Sequence, residues 1–99
     1  MHVDVIFLDL PWDPEGPTYI NKDKIDLYLG NLSISNICNK IKSHTKYIVL
    51  KAPLNFDYNK FVNEINDCNN DDNELFKLTI RSPINLRKMN LIILTSYKK

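Results

Sequence analysis

Residues 3–19 read VDVIFLDLPWDPEGPTY, an apolar run followed by a segment with three prolines. The first eight of these residues are mostly β-branched or otherwise apolar, which is typical of a strand. Because apolar side chains occur at both odd and even positions, we predict a strand buried on both faces, as in a parallel sheet. The prolines exclude a helix or a central strand in residues 11–17. The sequence therefore predicts a buried strand with a loop at its carboxyl end.

The rest of the chain alternates between helical and strand patterns. The predicted elements are a weak helix or turn at 21–30, a helix from residue 34, a strand at 46–51, a helix after residue 57, and strands at 75–81 and 89–97. Ser33 or Ser35 can cap the first long helix and Asp57 the second. Helical spacing places Lys42 on the outward face of the first of these helices. Residues 66–74 and 82–88 are predicted to be connections.

This order of elements predicts an α/β fold in one domain of 99 residues. The first two crossovers contain helices, so the strands that they join should be parallel. The connector at 82–88 is too short for a helical crossover. The last two strands should therefore pair antiparallel, or the last strand should insert beside its predecessor. The first strand would present an unpaired apolar edge, so we expect the chain to dimerise there or to be the carboxyl half of something larger.

Composition and charge exclude several classes of protein. Thirteen basic and twelve acidic residues give a net charge of +1, which excludes a strongly basic nucleic-acid-binding tail and an acidic disordered chain. The apolar runs are far shorter than the roughly 20 residues that a membrane span needs. Asp4 and Asp9 interrupt the first apolar stretch, so we expect no secretory signal and an intracellular protein of the cytoplasm or nucleus. The abundance of Asn, Ile and Lys is typical of an AT-rich genome, such as that of a large DNA virus or a protist.

The thiols and imidazoles do not form a recognisable metal site. Cys38 and Cys68 are thirty positions apart with no CxxC spacing, and His2 and His44 are solitary. We predict reduced, packed thiols and no bound metal.

The candidate ligand site lies where the first strand ends. In an open α/β sheet, ligands bind in the crevice outside the carboxyl ends of the strands. Asp9 can accept hydrogen bonds from an amino group there, and Pro11 fixes the backbone. Trp12 offers a flat face to a base or a cation.

This segment resembles the fourth motif of amino-group methyltransferases that use S-adenosylmethionine, in which an apolar strand precedes Asp/Asn/Ser-Pro-Pro-aromatic. The form with Trp, followed by Gly-Gly-Pro-x-Tyr, is similar to the trimethylguanosine synthases, which are RNA cap guanine-N2 methyltransferases. The residues that carry the match are Phe7, Leu8, Pro11, Trp12, Gly16, Pro17 and Tyr19. Residues 48–57, IVLKAPLNFD, resemble the next strand of that family and its Pro-x-Asn-x-Asp turn.

The sequence departs from the family pattern at four places. Leu10 stands where the family has the first Pro, and residues 13–16 make the loop two residues longer. Leu54 stands where some members carry a basic residue that contacts cap phosphates. The Gly-rich first motif and the acidic ribose-binding residue have no counterpart in these 99 residues. The resemblance therefore implies a partial domain without its cofactor-binding half, and we expect it to be inactive alone.

The resemblance implies the carboxyl half of a Rossmann-like class I methyltransferase and assigns roles to the matching residues. Trp12 would stack on the 7-methylguanine base, and Tyr19, Lys51 and Asn55 would contact the remainder of the cap. The implied catalytic residues are Asp9, Pro11 and Trp12, and Asp9 with the backbone at Leu10 and Pro11 would hold the exocyclic amine in line with the methyl group. The implied contacts to S-adenosylmethionine are Asp9, Leu10 and Pro11. The implied partners are capped RNA or a 7-methylguanosine nucleotide and a second chain that completes the sheet.

Other interpretations of the same residues stay open. An adenine-N6 methyltransferase of DNA or RNA uses a variant of the same motif and would flip its target base into the pocket. A non-catalytic module that binds a modified base, or a subunit of another protein, would explain the missing cofactor residues. Individually, Trp12 could close a loop over the sheet, Asp9 could order the loop, and Lys51 could be solvated.

Overall fold

The computed structural model describes residues 3–10, 27–29, 31–71, 73–81 and 83–98. The described elements are β1 (Val3–Leu8), β2 (Tyr28–Leu29), β3 (Leu32–Ser33), α1 (Ile34–Ile41), β4 (Thr45–Ala52), α2 (Tyr58–Asn69), β5 (Phe76–Ile80), β6 (Ile84–Asn85) and β7 (Asn90–Lys98). None of the helices in these residues is long and apolar enough to cross a membrane.

A mixed sheet organises the described residues. Its strand order is β1-β4-β7-β5, and β6 also pairs with β7. β1 and β4 are parallel, whereas β7 is antiparallel to both β4 and β5. These pairings confirm the α/β class, the parallel first pair and the antiparallel final pair. The last strand inserts between β4 and β5, so β5 is parallel to β4 and α2 is the crossover that joins them.

The core lies on one face of the sheet. Alternate side chains of the two central strands are buried there, among them Ile48 and Leu50 of β4 and Leu94 of β7. The helices supply the opposing layer, with Cys38 from α1 and Phe61 from α2 in the same buried cluster. The apolar positions predicted at helical spacing therefore form the interface with the sheet.

The prediction that β1 is buried on both faces was wrong. Val3, Val5 and Phe7 share one face of β1 and are 37%, 53% and 56% exposed. On the opposite face, Leu8 packs against the core. β1 pairs only with β4 among the described residues, and the described helices cover the face of Leu8. Apolar residues at both odd and even positions of a strand predict burial of both faces, but they cannot show that both faces are covered.

The structure confirms the predicted helix caps, whereas some element boundaries differ. Ser33 accepts a hydrogen bond from the Asn36 amide at 3.3 Å, and Asp57 accepts one from the Lys60 amide at 3.2 Å. α2 continues to Asn69 through part of the predicted connection. Two short strands occur where no strand was predicted. Tyr28–Leu29 pairs with β3, and Ile84–Asn85 pairs with β7. Residues 21–26 of the predicted helix or turn lie outside the described residues.

The prediction that Lys42 lies on the outward face of α1 was wrong, because the side chain is buried. The residue is 3% exposed, and its ammonium lies 3.3 Å from Oε2 of Glu74 and also donates to the Asn39 side chain. Its backbone carbonyl accepts a hydrogen bond from the hydroxyl of Ser96 on β7. Lys42 is the C-cap of α1 and keeps helical dihedral angles, so it lies four residues after Cys38 on the buried side of the helix. An acidic partner distant in sequence makes this burial tolerable.

Cys38 makes the stability of the fold depend on pH. Burial, with a further contribution from the charge of Cys68, raises the pKa of the Cys38 thiol from 9.0 to about 12. The unfolded chain releases this proton near the ordinary pKa, whereas the folded chain keeps it. Stability should therefore fall as pH rises from about 9 towards 12, by up to about 1.4 kcal/mol per pH unit. Urea unfolding at pH 8 and pH 10 measures this decrease.

The matched variant for this prediction is Cys38→Ala, which removes the titrating thiol. All other side chains are the same in the two proteins, so the difference between their pH dependences isolates Cys38. Equal dependences in the two proteins would contradict the prediction.

Candidate functional site

The site is built at the carboxyl edge of the parallel pair β1 and β4. The register aligns Leu8 of β1 with Leu50 of β4, so Asp9, which follows β1, lies at the level of Lys51, the penultimate residue of β4. This is the edge at which open α/β sheets bind ligands. Two residues distant in sequence are thus brought together by strand pairing.

Asp9 and Lys51 form a loose ion pair. The Lys51 Nζ lies 3.9 Å from Oδ2 of Asp9, and the Lys51 and Asp9 side chains are 30% and 56% exposed respectively. A pair this open contributes about 0–1 kcal/mol to stability. Its stronger consequence is chemical, because a carboxylate that can accept from an amine and an ammonium that can bind an anion stand side by side.

Leu10 anchors the chain immediately after Asp9. Its side chain is buried and belongs to the same cluster as Leu50 and Ala52 of β4. This burial gives a physical reason for an apolar residue where the resembled motif has Pro. It fixes the backbone at the point where the chain enters residues 11–26.

The turn after β4 is the second wall of the site. Pro53 is fully buried, and its carbonyl accepts a hydrogen bond from the amide of Phe56 at 3.1 Å. The Phe56 ring lies 5.6 Å from that of Phe61 on α2 at an angle of 56°, a favourable tilted arrangement. Asn55, half-buried between these two anchors, is held by a turn that is itself packed into the core.

The structure brings together only some of the residues predicted from sequence. Asp9 and Lys51 are in contact range, and Asn55 follows the strand that carries Lys51. Both Lys51 and Asn55 have further interaction partners. The predictions that stay untested are those for Pro11, Trp12 and Tyr19, which lie outside the described residues.

The described residues contain neither a cluster of metal-ligating side chains nor an activated thiol. Within the described ranges, no group of three or more His, Cys, Asp or Glu side chains is placed to hold a metal ion. Burial raises the pKa of both thiols, Cys38 and Cys68, so neither is a ready nucleophile at neutral pH.

One feature of this edge was missed from sequence. The β6–β7 hairpin carries Arg87 and Lys88 at the end of the sheet where the site lies. The available signal was charge patterning, because residues 81–91 contain three cations and no carboxylate.

Comparison with known proteins identifies the family. The sequence model of a family described as RNA cap guanine-N2 methyltransferase matches residues 1–93. The chain belongs to this family. The match covers both segments on which the resemblance rested, residues 7–19 and 48–57, and confirms it.

A curated relative is an uncharacterized protein of Acanthamoeba polyphaga mimivirus. It is 29% identical over 79 residues, which are 78% of this chain and 30% of the relative. The chain therefore spans less than a third of the length of the curated relative that it matches. Membership in the RNA cap guanine-N2 methyltransferase family, together with the mixed α/β sheet, indicates a domain with part of a methyltransferase fold.

Proposed function

We propose that this chain is the carboxyl-terminal, substrate-binding half of a class I methyltransferase that methylates the exocyclic N2 amine of a 7-methylguanosine RNA cap. The observation that carries the proposal is the 3.9 Å approach of Asp9 and Lys51 at the carboxyl edge of a parallel strand pair. Pro11 and Trp12 follow this edge directly in a chain that matches the cap methyltransferase family.

The residues of the site suit transfer to an amine. Asp9 accepts a hydrogen bond from the N2 amine and orients its lone pair. The buried side chain of Leu10 and the fixed φ of proline at position 11 limit the movement of Asp9. Such a transfer depends on positioning and desolvation more than on a strong base, so no His or Cys is required. The proton that the amine loses on methylation passes to water.

The cap itself supplies two charges that the site complements. The 7-methylguanine base is cationic, and the face of Trp12 stabilises it by about 1–2 kcal/mol when desolvated. Lys51, whose side chain is 30% exposed at this edge, binds a cap phosphate. Tyr19 and Asn55 complete the pocket.

S-adenosylmethionine, when bound, supplies the electrophilic methyl group. The chain fits only part of this cofactor. Asp9 and the backbone at Leu10 and Pro11 are the groups that would hold it, but the 99 residues contain only two glycines, Gly16 and Gly30, and no Gly-rich turn. We propose that residues 1–99 form one partial domain and that a cofactor-binding half outside them provides the other contacts.

The two edges of the sheet favour completion by further polypeptide. The outer edge of β1 has no partner strand among the described residues. The opposite edge, at β5, is blocked by the side chain of Asn69, which bonds to both the amide and the carbonyl of Leu78. The sheet can therefore be extended at β1, which supports a second chain or segment there.

The alternative to a half of an active enzyme is a non-catalytic binding subunit. In either role we expect the protein to act in the cytoplasm or nucleus, where capped RNA occurs.

Titration of the fluorescence of Trp12, the sole tryptophan, tests the proposal. We expect 7-methylguanosine diphosphate to quench Trp12 and to bind about 5–30-fold more tightly than guanosine diphosphate, because only the methylated base is cationic. Equal responses to the two nucleotides, in protein whose circular dichroism shows it folded, would contradict cap recognition and favour the adenine methyltransferase or a structural subunit.

A further inference from the structure

The β6–β7 hairpin is a cationic projection held by backbone hydrogen bonds. The Leu86 amide donates to the Met89 carbonyl at 2.8 Å and closes the turn, and Asn85 pairs with Asn90 below it. The turn carries Arg87 and Lys88, both exposed. Its position is therefore set by the sheet rather than by side-chain contacts.

A third cation lies at the base of the hairpin. The Arg81 amide donates to the Ile93 carbonyl at 2.9 Å, and the Arg81 side chain is exposed. No acidic partner of Arg81, Arg87 or Lys88 occurs in the part of the chain that the structure describes. Five of the twelve carboxylates lie in residues 64–74, in and after α2, and none lies in residues 81–91. The hairpin therefore offers unneutralised positive charge.

Strand pairing places this charge beside the candidate site. Asn90 pairs with Ala52 of β4 on one side and with Asn85 of β6 on the other, so the hairpin turn extends past the same sheet edge that carries Asp9. Neighbouring strands lie about 4.8 Å apart, and three spacings separate β1 from β6, which gives about 14 Å. The hairpin is thus too far to contact a base at Asp9 but near enough to contact nucleotides attached to it.

We infer that the β6–β7 hairpin binds the phosphodiester backbone of the RNA that follows the cap, through Arg87 and Lys88 with Arg81 at its base. The inference rests on the proposed function and names a contact outside the cap pocket. An Arg guanidinium forms bidentate hydrogen bonds with phosphate oxygens, and a Lys ammonium acts as a point charge. Such contacts are independent of base sequence and weaken with salt through release of counterions. They make capped RNA bind more tightly than the free cap nucleotide.

The double variant Arg87→Gln/Lys88→Gln tests the inference, with Lys40→Gln/Lys98→Gln as the matched control. The control removes the same charge from two exposed positions far from the hairpin. Lys40 is near the end of α1 and Lys98 ends β7, so both lie where β4 begins rather than where it ends. Anisotropy measures binding of a capped, 3′-labelled RNA of ten nucleotides, and Trp12 quenching measures binding of 7-methylguanosine diphosphate.

The hairpin variant should bind capped RNA about tenfold more weakly, and the slope of log affinity against log salt should be shallower by about 1.4, or 0.7 for each lost contact. Its affinity for 7-methylguanosine diphosphate should match that of the parent, and the control variant should change neither value. The hairpin inference is overturned if the parent binds capped RNA no more tightly than the free nucleotide. It is also overturned if both variants lose the same affinity for capped RNA, and cap binding stands in either case. If the parent does not distinguish methylated from unmethylated nucleotide, the proposed function fails, and uncapped RNA of the same sequence then tests the hairpin separately.

Discussion

Replacing Phe61 by alanine is expected to lower the free energy of unfolding by about 3–5 kcal/mol. The side chain is 1% exposed in the layer between α2 and the sheet, and its ring contacts that of Phe56. Truncation therefore removes buried apolar surface and leaves a cavity that the sheet and the turn after β4 cannot fully close. Small domains have a total stability of about 5–15 kcal/mol, so this loss is a large fraction of the whole.

The matched control is Phe7→Ala, which makes the same chemical change at a 56% exposed position on β1. We expect a change within about 0.5 kcal/mol, as for most surface substitutions. Urea denaturation followed by circular dichroism measures both variants. A similar loss at Phe7 would show that the face of β1 is covered in solution and would contradict its exposure in the structure.

Replacing Asn69 by leucine, which has a similar shape, is expected to cost about 2 kcal/mol, or about 1 kcal/mol for each hydrogen bond. The Asn69 amide donates to the Leu78 carbonyl at 2.7 Å, and its oxygen accepts from the Leu78 amide at 2.9 Å. These bonds imitate a neighbouring strand on the free side of β5. The substitution frees the amide and the carbonyl of Leu78 on the outer side of β5, and we expect the variant to self-associate through this strand.

Asn63→Leu provides the control, since it makes the same substitution at an exposed position of the same helix. Urea denaturation gives the loss of stability, and sedimentation velocity over a range of protein concentrations gives the association. Equal stability of the two variants would refute the role of Asn69 as a cap of the sheet edge. If Asn69→Leu loses stability without associating, the hydrogen bonds matter to the fold but do not block strand pairing.

Because the edge at β5 is blocked by Asn69, the sheet can be extended at the edge of β1. Among the described residues, a side chain caps the edge at β5, whereas the edge at β1 has unpaired backbone groups on a largely apolar strand. The sheet therefore has a defined direction in which it can be extended. β1 is also the strand that leads into Asp9. A segment added there would lie next to the candidate site, where the proposed function requires further contacts to the cofactor.

The sequence by itself determined the features that depend on near neighbours. Apolar runs bounded by Pro11 and Pro53 predicted β1 and β4, and the side chains of Ser33 and Asp57 predicted where the helices begin. These signals are reliable because capping and backbone restriction act within about one turn of the chain. The motif around residues 7–19 likewise indicated the family, because the residues that carry it are near neighbours in the chain.

Only the tertiary structure decided the contacts between segments far apart in sequence. Lys42 is buried because Glu74 reaches it, and Phe7 is exposed because the described helices cover the other face of β1. The insertion of β7 between β4 and β5 brings the hairpin to the site, and the parallel register brings Lys51 within 3.9 Å of Asp9. Periodicity specifies which side chains share a face of an element. Strand pairing and packing decide what that face meets, because their energies depend on partners that no local pattern contains.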